Sequence, residues 1–304
     1  MELRNVPIAV TGATGFLGRY IVDVLLARGA HVVGVVRNPD RVPALVTKGV
    51  ELRRADLAEP DRLRDAFADV RAVVSNAALF SLGNQKWADH ERANVVGTHN
   101  VMEACRAAGV RRVVQVSSVA VYGLFARGPL TEDAPQLGPD TRRLPWNVYP
   151  VSKARSEQEA WRLAREHGLE LTTVRPCTIY GAFDPNFMRV FRRVMTLPVS
   201  VRAVGMRMSY VYAGDVAEGI ALALEHDPSI GRAYNLTGEG ESWDDLVAAW
   251  KAAGGRTPTF TLPLPIPLAP AFDSSRAKTE LGWRPRGLVE ALRESFHLEP
   301  ELRG

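Results

Sequence analysis

The chain has 304 residues, 46% of them hydrophobic and 24% charged, with a formal charge of +4. This length buries a sizeable core without disulfide staples, and the balance is that of an ordinary globular protein. The basic residues are scattered rather than set in a stripe with interleaved aromatics, which argues against nucleic acid as a partner and leaves anionic small ligands such as nucleotides. The N-terminus, MELRNVPIAVTGATG, runs straight into a strand pattern, so no secretory signal is expected. No segment offers about 18 consecutive apolar residues, so neither a membrane span nor a membrane partner is expected. Cys105 and Cys177 sit singly in apolar segments and read as buried thiols of a cytoplasmic protein. The six histidines show no ligand spacing, and no metal is expected.

Runs rich in Val and Ile recur at 6–10, 31–36, 70–74 and 112–117, with a weaker run at 50–54. Helical patterns fill 16–28, 61–68 and 88–108, and Gly29 and Gly109 fall where helix C-terminal glycines belong. Apolar strands alternating with helices imply a parallel sheet covered on both faces, hence a doubly wound α/β fold of the Rossmann type. The alternation continues through a helix over 150–167, closed by Gly168, and a strand over 169–174. Beyond Pro176 it loosens. Short strands are expected near 199–204, 209–212 and 233–236, and helices near 186–195, 214–226 and 242–253. The stretch TLPLPIPLAP at 261–270 reads as a connector, too rich in proline for a helix. The expected division is a dinucleotide-binding domain over 1–175 and a smaller substrate lobe over 176–304, some segments of which return to the main sheet.

The stretch IAVTGATGFLGRY carries Gly12, Gly15 and Gly18 between the first strand and the first helix. Glycine there lets the chain turn tightly and lets a pyrophosphate approach the free N–H groups of the helix. Thr14, Phe16 and Leu17 share that turn and are expected beside the cofactor. The second strand, HVVGVV, runs into Arg37, with no acid at its tip and Asp40 further along. A guanidinium suits a 2′-phosphate, which favours NADP over NAD. Asp56, followed by Leu57, is placed either to meet the adenine amino group or to serve a turn. The fourth strand ends in Asn76, Ala77 and Ala78, small enough at the two alanines for a cofactor to pass close. Asn94, in ANVVGTHN, reads as the holder of a backbone group or a water, or as an ordinary polar helix residue.

Ser117 and Ser118 stand at the carboxyl end of the fifth strand, the rim where doubly wound sheets bind ligands. In WNVYPVSKARSE, Tyr149 precedes Lys153 by four residues, so the two share a helix face. A free tyrosine has a pKa of about 10, and a neighbouring ammonium stabilises the phenolate. Lysine suits this task because it is a compact point charge that also hydrogen-bonds ribose hydroxyls.

Taken together, TGATGFLG, NAA at 76–78, NVVGTHN, VSSVAVYG, YPVSK, VRPCTIYG at 174–181 and the ending DSSRAKTELGWRP resemble the extended short-chain dehydrogenase/reductases, the NAD-dependent epimerase/dehydratase family. The matches follow the family's order and span nearly the whole chain. The resemblance implies that Tyr149 is the catalytic acid/base and that Lys153 lowers its pKa and holds the ribose. It implies that Ser118 bonds the reacting oxygen, with Ser117 as the alternative, and that the backbone after Pro176 lines the nicotinamide. Asn94 joins the catalytic set on the same ground. The segment 123–148 would wall the substrate cleft, and a homodimer through helices 88–108 and 150–167 is expected. Family members share hydride transfer at a carbinol carbon while Tyr moves a proton. Val119 and Ala120 stand where 4,6-dehydratases carry acids, which argues against elimination. Met208 stands where epimerases place a diphosphate-binding Arg, seven residues before Asp215, with Arg202 and Arg207 nearby. Arg189, Arg192 and Arg193 read either as diphosphate ligands or as a solvated helix face. A reductase acting on a small-molecule carbonyl or alcohol is therefore favoured over a nucleotide-sugar epimerase, with a non-catalytic NADP sensor as a third reading.

Overall fold

The computed structural model describes residues 1–80, 86–123, 126 and 128–303. The first half reads β1 (Pro7–Thr11), α1 (Phe16–Ala27), β2 (His31–Val36), α2 (Pro43–Thr47), β3 (Glu51–Arg54), α3 (Pro60–Ala66) and β4 (Ala72–Ser75). It continues with α4 (Trp87–His90), α5 (Gly97–Ala107), β5 (Arg112–Val116), α6 (Val148–His167) and β6 (Glu170–Pro176). The second half holds β7 (Thr178–Tyr180), α7 (Phe187–Met195), β8 (Val199–Val204), β9 (Arg207–Met208), β10 (Tyr210–Tyr212) and α8 (Ala213–Glu225). After these come β11 (Ala233–Leu236), β12 (Glu241–Ser242), α9 (Trp243–Ala252), β13 (Phe260–Pro265), α10 (Ser275–Glu280) and α11 (Leu288–Leu298).

Among the described residues, one parallel sheet runs in the order β3-β2-β1-β4-β5-β6-β11. Its central strands are buried on both faces, because each is short, apolar and β-branched and each crossover returns a helix to the sheet. Alternate side chains enter opposite cores. Ile8 and Val10 pack with Ile21, Leu25, Val216 and Ile220 under α1 and α8. Ala9, Val73 and Val113 pack with Leu63, Phe67, Val101 and Leu163 under α3, α5 and α6. The late motif around Asp215 is structural: its carboxylate accepts from the Arg286 backbone at 2.8 Å and the Arg286 guanidinium at 2.7 Å, tying α8 to the C-terminal segment.

Two departures from the sequence reading have physical causes. The helix expected over 88–108 is interrupted by a π-helical turn at Glu91–Val96, which leaves α4 and α5 as its flanks. The proline-rich segment is more than a connector. Phe260–Pro265 forms β13, paired in parallel with β8 from Phe260↔Val199 to Pro265↔Val204. Phe260 N–H and Ile266 N–H both donate towards the β8 chain, to the carbonyls of Pro198 and Val204. Prolines 263 and 265 have the opposite parity, so their missing N–H groups fall on the free edge, where a strand tolerates proline. Of the 123–148 segment, positions 124, 125 and 127 lie outside the described residues.

The glycine turn tolerates no added methyl at Gly18, where a Cβ would stand 2.0 Å from the Gly12 carbonyl oxygen. Gly18→Ala is expected to cost about 3 kcal/mol in thermal unfolding. Gly138→Ala, with nothing within 4 Å of its Cβ, is expected to leave the midpoint unchanged.

Candidate active site at the carboxyl rim of the sheet

Gly12 adopts φ +67°, and a Cβ there would lie 3.0 Å from Ala77 Cα, so only glycine lets the β1 turn rest on the chain leaving β4. Thr11 Oγ1 accepts from the N–H groups of Asn76 and Ala77, each at 3.1 Å, and Asn76 Nδ2 donates to the Gly12 carbonyl at 3.3 Å. These bonds lock the two loops together. Gly15 caps α1 without a side-chain bond, and a Cβ on it would meet only the Gly12 oxygen. The first-turn N–H groups of α1 thus open onto a cleft, as an anion site needs.

The cleft has a volume of about 1340 Å³, above the roughly 300–1,000 Å³ of a single small-ligand site. Gly12, Thr14, Gly15, Phe16, Leu17, Arg37, Asp56, Leu57, Asn76, Ala77 and Ala78 line one end. Ser118, Tyr149, Lys153 and Pro176 line the middle. Asp40 is not on its wall, and neither is Gly18, which packs within the turn. Asp56 serves the turn, its carboxylate accepting from Ala58 N–H at 2.9 Å, and it is also on the cleft wall. The glycine cradle, the open helix end and the length of the groove fit a nicotinamide dinucleotide, with Arg37 at the adenosine end and Tyr149 and Lys153 at the other.

Ser118 and Tyr149 both line the cleft, and Ser118 Oγ accepts from Ala120 N–H at 3.1 Å. Ser117 is committed elsewhere: its hydroxyl donates to Glu157 Oε2 at 2.5 Å. The half-buried Tyr149 ring packs edge-on against Phe80, with centroids 4.9 Å apart. Asn94, listed by sequence among the catalytic residues, stands one layer behind the cleft wall. Its Oδ1 accepts from Leu79 N–H at 2.7 Å, and its Nδ2 donates to Leu79 O at 3.0 Å and to Ser152 Oγ at 2.9 Å. Ser152 in turn donates to the Tyr149 carbonyl at 2.8 Å. Asn94 thus reaches Tyr149 only through Ser152, from within the π-helical turn at Glu91–Val96.

The electrostatics differ from the simple expectation that Lys153 lowers the Tyr149 pKa. Burial pushes the phenol up to about 12, with the Ser118 side chain drawing it back. Lys153 is itself buried, and its ammonium donates to the Val116 carbonyl at 2.8 Å rather than to the phenol. Burial pushes that ammonium from 10.5 down to about 8, opposed by the charge of Glu157 one turn along α6. Burial alone would raise the Glu157 carboxyl. Arg175, Ser117 and Trp161 outweigh it and hold the group below the usual carboxylate range. Sequence reasoning did not single out Phe80, Ser152 or Glu157; the one available signal was the position of Glu157 one further turn from Lys153.

The sequence pattern of the NAD dependent epimerase/dehydratase family matches residues 8–237. The chain belongs to that family. Within it, the chain is 30% identical to a 4-hydroxy-2-methyl-3-oxo-4-farnesyl-3,4-dihydroquinoline-1-oxide ketoreductase of Stigmatella aurantiaca, over 95% of this chain and 85% of that one. It is also 30% identical to a UDP-glucose 4-epimerase of Erwinia amylovora, over 97% and 98% of the two chains. Among solved structures, MoeE5 in complex with UDP-glucose and NAD superposes with a TM-score of 0.78 at 27% identity, over 97% of this chain and 99% of that one. The relatives of this chain thus include both a reductase and an epimerase.

The far half of the cleft is largely apolar: Ile179, Phe187, Val190, Met208, Leu268, Pro270 and Phe272 line it, with Thr178, Asp184, Asn186 and Ser209 as its polar members. Arg189, Arg192, Arg193, Arg202 and Arg207 are not on the cleft wall. Arg202 pairs with Asp244 at 2.5 Å, and Arg207 donates to the Gly240 carbonyl at 2.7 Å. Arg92, which does reach the wall, is tied to Asp89 at 2.9 Å.

A lysine whose folded pKa lies below its unfolded value binds fewer protons folded than unfolded between the two, so stability rises with pH across that window. For Lys153 the window is about 8 to 10.5. Lys153→Met is therefore expected to raise stability at pH 7 by about 2 kcal/mol while abolishing turnover. The gain should shrink as unfolding is followed from pH 8 towards 10.5.

Proposed function

We propose that this protein is an NADP-dependent reductase of an uncharged, largely apolar ketone or aldehyde. The observation that carries the reading is Met208, which lines the cleft where the family's epimerases place a diphosphate-binding arginine, while the arginines around it are directed elsewhere. An apolar far wall pairs well with an apolar substrate and leaves a sugar diphosphate without charge partners. Arg37 at the tip of β2, with Asp40 off the wall, supports the 2′-phosphate.

When bound, the nicotinamide supplies the hydride. The chain's own residues do the rest. Ser118 donates a hydrogen bond to the substrate carbonyl oxygen and fixes its direction. Tyr149 gives that oxygen its proton, and a phenol pushed up to about 12 is fully protonated at neutral pH, as a proton donor must be. Lys153 holds the ribose hydroxyls and lends positive charge as the phenolate forms. Phe80 and the apolar far wall exclude water from the reacting oxygen. Helices α5 and α6, already packed side by side, supply the face for a homodimer. A second reading, nucleotide-sugar epimerisation at the same site, draws support from the end-to-end match to the Erwinia amylovora epimerase.

Oxidation of NADPH is expected with a panel of aromatic and aliphatic ketones, and no interconversion of UDP-sugars. Epimerisation of a UDP-sugar without net cofactor change would reverse the ranking. Tyr149→Phe should lower kcat by about 10²–10⁴-fold with NADPH binding retained; a sensor would keep its function. Arg37→Ser should weaken NADPH about tenfold and leave NADH unchanged in a fluorescence titration.

A further inference from the structure

The ribbon of β8 and β13 carries a feature that the cleft chemistry does not use. In the parallel register, Val199 and Val201 stand beside Phe260 and Leu262, with Leu264 following on the same face. These five side chains are between 43% and 69% exposed. An uninterrupted apolar sheet face of this kind marks a contact surface. On the opposite face Ser200 of β8 is buried and the exposed Arg202 pairs with Asp244 of α9, while β13 is exposed along its whole length.

What contacts this face is narrowed by three observations. First, the outward N–H positions of β13 include prolines 263 and 265, so an incoming strand finds donors missing along that edge. Contact is through side chains. Second, the two stretches that carry the ribbon hold one sign of charge along the chain, with Glu301 of the C-terminal turn against α7 as an exposed counter-charge. No aspartate or glutamate occurs between Asp184 and Asp215, or between Asp245 and Asp273, while Arg189, Arg192, Arg193, Arg202, Arg207, Lys251 and Arg256 fall within those stretches. Because the two strands run parallel, the exposed Arg193 before β8 and the exposed Arg256 before β13 arrive at the same end of the ribbon. The carboxylates that bound these stretches are engaged, Asp184 by the N–H groups of Asn186 and Met188, Asp215 by Arg286, Asp245 by Ser242 and Asp273 by the Ser275 N–H. Third, the chain leaving β13 goes directly to the mouth of the cleft, where Leu268, Pro270 and Phe272 form part of the wall.

We propose that the exposed face of the β8–β13 ribbon docks this protein onto an anionic lipid surface. Apolar side chains enter the acyl boundary, the arginines at the ribbon's start meet lipid phosphates, and the cleft mouth lies close to the surface. Among the described residues no helix is long and apolar enough to cross a membrane. A docking face is a different feature from a span, and it departs from the sequence-based expectation of no membrane partner.

The test is co-sedimentation of the full chain with vesicles of equimolar phosphatidylglycerol and phosphatidylcholine, against vesicles of phosphatidylcholine alone. Binding is expected to the anionic vesicles only, falling as salt rises. The triple variant Phe260→Ser, Leu262→Ser, Leu264→Ser should bind about tenfold more weakly with its NADPH affinity unchanged. Arg193→Gln with Arg256→Gln should flatten the salt dependence. No binding to anionic vesicles, or equal binding by the triple variant, overturns the proposal. So does a dimer in solution that the triple variant splits while vesicles remain inert, since a second copy would then own the face. Should the triple variant fail to fold, Phe260→Cys carrying a polarity-sensitive dye takes its place, because Cys105 and Cys177 are buried. Its emission is expected to shift to the blue on anionic vesicles, and an unmoved spectrum overturns the proposal.

Discussion

The Glu157–Arg175 ion pair, sealed beneath the active site, is what the geometry of the rim depends on. Arg175 Nε lies 3.1 Å from each Glu157 oxygen, and Nη2 lies 2.5 Å from Oε1. Ser117 Oγ, Gln136 Nε2 and Trp161 Nε1 donate to the same carboxylate. On its other side Arg175 donates to the Tyr122 hydroxyl at 2.7 Å and the Glu132 carbonyl at 2.9 Å. One carboxylate thereby fastens the end of β5, helix α6 and strand β6 to one another. Such a pair adds little net stability, because both charges surrender their water. Its effect is geometric: Ser118 follows Ser117, Lys153 precedes Glu157 by one turn, and Pro176 follows Arg175, so each reactive position is adjacent to a fastened one.

The same carboxylate balances the lysine electrically. An ammonium buried with a single carbonyl partner would readily surrender its proton, and the negative charge behind it opposes that loss. Tyr149 sits on the outer turn of the same helix, held from below through Ser152 and Asn94 and from the side by Phe80. The site is thus layered, with reactive groups facing the cleft and a hydrogen-bonded tier behind.

Much of this was legible in the sequence where a single local rule decides the outcome. The Val-rich runs became the central strands, Gly168 closed α6 in the left-handed conformation, and the glycine spacing shaped the turn at β1. What was not legible depends on partners far apart in the chain. Glu157 is an unremarkable helix acid until Arg175 and Ser117 arrive beside it. Asn94 was legible as a holder of a backbone group, but its partner Leu79 was not, because the π-turn on which it lies leaves no mark in a hydrophobic pattern. β13 was read as a connector because proline argues against a strand unless one knows which edge is free.

The alternating prolines of β13 have a consequence beyond this fold. A row of exposed Phe, Leu and Val side chains on an edge strand is the composition that seeds fibrils, because each added chain finds both a greasy face and a ladder of amide donors. Here the greasy face is kept and part of the ladder is removed. The protein can carry an adhesive surface through synthesis and storage with less risk of templating its own aggregation.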